Sequence, residues 1–195
     1  MLTYLIYNYK NMILYQKQVQ EDGMKFYFKL SACIVLLAAY VVCLIWLPFS
    51  PVTFLLGAAA CNWPANLIHE AGHFFAYGIL GLEWRRTVFS FFVLEKGRGI
   101  GIDKEKSPFA ASCTCRYDPA VPFWRYLWAL LAGGILCLAA SAAVFVASLF
   151  AKGSLLAFLL CLGTVCALNA LANLLIPFSA DRVLIGQIKR ERENK

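Results

Sequence analysis

A chain of 195 residues that is 61% apolar and only 15% charged, with a mean hydropathy of +0.66, lies far from a soluble domain, where roughly a quarter of residues are charged. It reads as an all-α polytopic membrane protein, and its length excludes a large soluble catalytic or regulatory domain beside the membrane bundle. The formal charge of +7 flanks apolar runs and forms no aromatic-interleaved groove, so the expected partner is the lipid bilayer and not nucleic acid.

In chain order, residues 1–25 carry Tyr4, Tyr7, Tyr9 and Tyr15 with Lys10 and Lys17, and read as an N-terminal interfacial cytoplasmic segment. The first apolar run begins too late and is too long for a secretory signal, so residues 26–50 are expected to stay as a transmembrane helix. Residues 51–185 follow as a three-helix core. Crossing a hydrocarbon layer about 30 Å thick takes roughly 20 residues, which the runs near 26–47, 52–82, 124–150 and 155–178 supply, predicting four transmembrane helices. Asn62, Pro64 and Asn66 interrupt the second run and predict a kink, tilt or early break there. Residues 83–123 form the central loop, in which 89–102, β-branched and aromatic around a glycine-rich turn, reads either as a membrane-associated β-hairpin between helices 2 and 3 or as an irregular juxtamembrane loop. Residues 186–195 are a charged C-terminal tail.

Four spans put both termini and the central loop on one side. Lys10, Lys17, Lys25 and Lys29, the eight cations from Arg85 to Arg125 and the five from Arg182 to Lys195 lie there, against Lys152 alone on the other, which predicts both ends cytoplasmic, in the cell membrane. Cys33, Cys43, Cys61, Cys137, Cys161 and Cys166 fall inside spans and act as small apolar residues. Cys113 and Cys115 are expected to be simple thiols in a reducing compartment, since two thiolates without a matching pair make a weak metal site.

The chemistry concentrates in His69, Glu70, Ala71, Gly72 and His73, which contain the only two histidines of the chain. On a helix, i and i+4 share a face, so both imidazoles reach one Zn²⁺ while Glu70 addresses its open position. A bland alternative is a buried hydrogen-bonded polar cluster, but a carboxylate and two imidazoles within a span are costly and usually functional. Catalytic zinc takes a third protein ligand. With no other histidine, Asp181 just after the fourth span is best placed, provided the backbone near Pro177 is unwound; otherwise it is a solvated carboxylate beside Arg182. Glu95, 22 residues after His73, is the competing ligand of a gluzincin-type membrane peptidase.

These residues resemble the site-2 protease family of intramembrane zinc metalloproteases. The family's H-E-x-x-H matches His69 to His73, and its N-x-x-P-x-x-x-x-D-G resembles Asn173 to Arg182, with the Asn-to-Asp spacing kept, Pro177 one place late and Arg182 where glycine is usual. Ala132, Gly133 and Gly134 are similar to its small-residue motif in the middle core helix. The resemblance spans about residues 52–185 and implies a minimal member without a PDZ or CBS domain. It further implies one Zn²⁺ per chain held by His69, His73 and Asp181, with Glu70 as catalytic base and Asn173 as an oxyanion or substrate donor. The expected activity is hydrolysis of peptide bonds in membrane-anchored proteins or peptide precursors near the cytoplasmic face. A catalytically inactive membrane scaffold is the remaining alternative. Asn66, three residues before His69, orients the site or satisfies backbone opened by Pro64.

Overall fold

The computed structural model describes residues 27–44, 46, 50–103, 106, 110–176 and 180–193, so the expected interfacial segment at 1–25 lies outside the described residues. The described residues form five helices and one small sheet: α1 (Tyr27–Leu44), α2 (Pro51–Ile79), α3 (Phe123–Ser148), α4 (Gly153–Leu175) and α5 (Ala180–Glu193), with strands β1 (Trp84–Phe89), β2 (Phe92–Glu95), β3 (Gly99–Ile102) and β4 (Ala111–Cys115) between α2 and α3 in the chain. Among the described residues, α1, α3 and α4 are long and apolar enough to cross a membrane. α2, at 29 residues the longest helix, is not one of these three; it carries Asn62, Asn66, His69, Glu70 and His73.

α2 starts where its sequence says it should. Ser50 accepts from the Thr53 amide, the Thr53 hydroxyl accepts from the Ser50 amide at 2.7 Å, and Pro51 fills the first turn, where its missing N–H costs nothing. The break anticipated near Pro64 does not occur, because the helix runs unbroken through it. Packing on both neighbours accounts for this: Ala60, Cys61 and Ala65 around the proline are buried, and small side chains let adjacent helices hold the backbone in place. α2 ends at Leu80 and Gly81, whose φ of +67° suits glycine, with the Leu82 amide returning to the Tyr77 carbonyl at 2.8 Å.

Close approach between helices is set by glycines. A Cβ on Gly72 would sit 2.6 Å from the Ala132 carbonyl oxygen, so α2 and α3 touch backbone to backbone there. On α3 and α4, a Cβ on Gly134 would meet Leu174 at 2.9 Å and one on Gly163 would meet the Phe145 ring at 2.9 Å, while the Ser141 hydroxyl donates to the Gly163 carbonyl at 2.8 Å. α4 stops at Leu175 because Ile176 precedes Pro177 and is held extended.

The central loop is larger than one hairpin. Its four strands are antiparallel in the order β3-β2-β1-β4, with Phe92 opposite Ile102, Val88 opposite Val93 and Thr87 opposite Cys113. The expected stretch covers β2, β3 and the end of β1; β4 is added from residues 111–115, whose period was too short and too polar to mark a strand. Along β4, only Cys113 is fully buried, and it packs with Tyr77, Leu82, Tyr126, Ala129, Leu130 and Ile188 into the core that ties the sheet to the bundle. α5 runs across residue 185, and Ile188, within the expected charged tail, is 6% exposed.

Gly163→Leu is expected to lower stability by about 1–3 kcal/mol through overpacking against Phe145, read as a lower unfolding midpoint in detergent. An unchanged midpoint would mean that the α3–α4 contact is looser than these distances require.

Candidate metal centre

His69 and His73 lie one turn apart on α2, and both are buried, at 6% and 2% exposure, with Glu70 beside them at 6%. Three ligand atoms converge. His69 Nε2 is 3.1 Å from His73 Nε2, Asp181 Oδ2 is 3.2 Å from His69 Nε2, and Asp181 Oδ1 is 3.5 Å from His73 Nε2. Among the described residues this is the one cluster of three or more His, Cys, Asp or Glu groups with metal-ligand spacing. A tetrahedral shell with bonds of about 2.0–2.1 Å has ligand-to-ligand edges of roughly 3.3–3.4 Å, close to the triangle found here.

His73 Nδ1 is 2.8 Å from the Ala129 carbonyl, which can only accept, so Nδ1 carries a proton and a neutral His73 would present the lone pair of Nε2 to His69 and Asp181. Three buried side-chain atoms here have no hydrogen-bond partner among the described residues: His69 Nδ1, Glu70 Oε2 and Asp181 Oδ2, the last within 3.2 Å of His69 but not aligned for a hydrogen bond. Two imidazoles and two carboxyl groups lie buried together, and a divalent cation would offset the cost of burying the charge they can carry. The residues present fit a zinc ion.

Each neighbouring element has a local reason to be there. Gly133 faces the imidazoles: a Cβ on it would lie 2.6 Å from His73 Nε2 and 2.8 Å from His69 Cε1, so α3 can approach only with no side chain at that position. Tyr77, one turn beyond His73, stacks its ring at 6.3 Å and 19° and donates from its hydroxyl to the Cys113 carbonyl at 3.0 Å, pinning β4 on α2. The Cys113 backbone N–H donates to the Glu70 carboxylate. β4 therefore forms one wall of a cavity of about 530 Å³, lined also by His69, Glu70, His73, Asn173 and Asp181.

Asp181 is thus delivered to the histidines, from the first turn of α5. Residues 177–179, where the unwinding was expected, lie outside the described residues. Glu95 is not brought to the site: it lies in β2, two strands away from β4, with its carboxylate 3.2 Å from Arg98. Asn173 does line the cavity, but its amide donates to Asn169 Oδ1 at 2.8 Å and to the Asn169 carbonyl at 3.1 Å, so a role at the substrate would require it to rotate. Asn66 accepts from the Asn169 amide at 2.9 Å, so it serves as an α2–α4 link in addition to lining the cavity.

Gly133, Tyr77, Ala129 and Cys113 escaped sequence reasoning. Only the small-residue run at Ala132–Gly134 carried a signal; a backbone acceptor such as the Ala129 carbonyl leaves none. Cys113 is a buried thiol and Cys115 a half-buried one, both in the neutral form, since desolvation pushes both up, Cys113 to about 11, and the Cys113 sulfur lies 3.0 Å from the Thr87 hydroxyl.

Gly133→Ala is expected to displace the imidazoles and lower bound zinc several-fold at unchanged helical content, measured by metal analysis and circular dichroism. Full zinc occupancy in that variant would show that the imidazoles do not hold their ion at the α3 wall. With Cys113 as the sole cysteine, alkylation at pH 8 is expected to be slow until the chain is unfolded, since a thiol of pKa about 11 is almost wholly protonated there; rapid labelling of the folded chain would contradict the burial.

Comparison of the chain with family models, with curated proteins and with solved structures gives no match.

Proposed function

We propose that the chain is an intramembrane zinc metalloendopeptidase that hydrolyses peptide bonds of membrane-anchored proteins or peptide precursors near the cytoplasmic face. The observation that carries this reading is the convergence of His69, His73 and Asp181 atoms to 3.1–3.5 Å beside a buried Glu70, one oxygen of which has no partner among the described residues. The resemblance of His69 to His73 and of Asn173 to Asp181 to the site-2 protease motifs supports it independently of the geometry.

His69 Nε2, His73 Nε2 and the Asp181 carboxylate would hold the ion. Bound zinc supplies Lewis acidity at a scissile carbonyl and lowers the pKa of water. Glu70 does the proton work: Oε2 accepts from water and returns the proton to the leaving amine, while the Cys113 amide on the same carboxylate keeps it aimed into the cavity. His73 keeps its tautomer through the Ala129 carbonyl, so its Nε2 stays available as a ligand. Asn173, once turned from Asn169, offers an amide N–H to a developing oxyanion.

A substrate helix must unwind before its peptide bonds become reachable, and a strand beside the site would hold the unwound segment. β4, which lines the cavity, is better placed for this than the hairpin of β2 and β3, since the β3 edge lies three strand spacings, about 14 Å, from β4. The cation-rich sheet and α5 favour a cytoplasmic location for this end of the bundle.

Purified protein should contain about one zinc per chain, and Asp181→Ala should release it. Glu70→Gln should keep the metal but cleave a single-span substrate at least about 10²-fold more slowly. A Glu70→Gln variant that cleaves like the wild type would remove the proteolytic proposal.

A further inference from the structure

The third ligand does not belong to a membrane-spanning helix. α4 ends at Leu175, and Asp181 sits in the first turn of α5, a separate 14-residue helix too polar to cross a bilayer. Where α5 lies therefore decides where the carboxylate lies. On α5, Asp181, Leu184, Ile185 and Ile188 are spaced i, i+3, i+4 and i+7, which places the ligand and three apolar side chains on one helical face. Ile188 is buried, and Leu184 and Ile185 pack against the same core of Tyr77, Tyr126 and Leu130. Lys189 and Arg190 lie off this face and are exposed.

Tyr77 connects this core to the metal centre, since its ring lies against His73 one turn earlier on α2. α5 is thus attached at two points two turns apart, apolar at Ile188 and polar at Asp181. Resting on the zinc reading above, we propose that docking of α5 through Leu184, Ile185 and Ile188 sets the affinity of the metal centre from a distance. Ile188 is a positioning residue acting through Asp181, and metal occupancy in turn holds α5 on the bundle. Reciprocity is obligatory: if a docked α5 strengthens metal binding, bound metal strengthens docking by the same factor. Anything that captured the apolar stripe of α5 would withdraw one ligand without touching the histidines.

The test uses the full chain in detergent, with zinc ion alone as probe. Zinc should slow amide hydrogen exchange in α5 by on the order of tenfold in the wild type, and should leave it unchanged in Asp181→Asn. Ile188→Asp should weaken zinc binding by on the order of tenfold in a chelator competition, whereas Ile188→Val should bind as the wild type does. Wild-type zinc binding with α5 exchange indifferent to the ion, or a folded Ile188→Asp with unchanged zinc affinity, overturns the coupling and leaves the metal centre standing. A wild type that binds no zinc overturns the metal reading and the coupling together. Should Ile188→Asp fail to fold, the wild-type and Asp181→Asn exchange comparison decides by itself.

Discussion

The rest of the structure depends on one buried convergence of imidazole and carboxylate groups. His69, His73 and Asp181 bring lone pairs to within 3.1–3.5 Å of one another inside an apolar bundle, with Glu70 alongside. Proteins bury such groups only when charge and hydrogen bonds are balanced. One His73 nitrogen is satisfied by the Ala129 carbonyl, yet His69 Nδ1, Glu70 Oε2 and Asp181 Oδ2 have no hydrogen-bond partner among the described residues. In the zinc reading proposed above, a divalent cation would balance this cluster, and the spacing suits its coordination shell.

The bundle is built to allow that convergence. Gly72 lets α2 meet α3 backbone to backbone, and Gly133 leaves room for both imidazoles against the α3 wall. Polar residues of α2 and α4 are knitted together by Asn66, Asn169 and Asn173, so amides beside the cavity hydrogen-bond to one another. The same features that make α2 a poor lipid-facing helix make it the helix on which a site can be assembled.

The sheet and α5 turn an ion-binding cleft into a shaped cavity. β4 is held on α2 by the Tyr77 hydroxyl, its Cys113 amide reaches Glu70, and the same core anchors Ile188 of α5. A single apolar cluster at the end of the bundle therefore fixes the cavity wall, the orientation of the proposed base and the proposed third ligand. Salt bridges on the sheet, such as Arg86 with Asp103 at 3.2 Å, are partly exposed and contribute little to this arrangement.

Much of this was legible in the residues alone. Long apolar runs carry their own signal because a bilayer demands about 20 residues, and the i, i+4 histidines with an adjacent glutamate announce a shared helical face whatever lies around them. Asp181 could be nominated because no third histidine exists and it follows directly on the fourth apolar run. What needed the tertiary structure were the relations between distant segments. The continuity of α2 through Pro64 is decided by packing, β4 by pairing with β1, and the rejection of Glu95 by strand order. The role of Gly133 is decided by how closely α3 approaches, and the membership of Ile188 in the core by the docking of α5. Periodicity reports how a segment divides its own faces between environments; it holds no record of which other segment provides that environment.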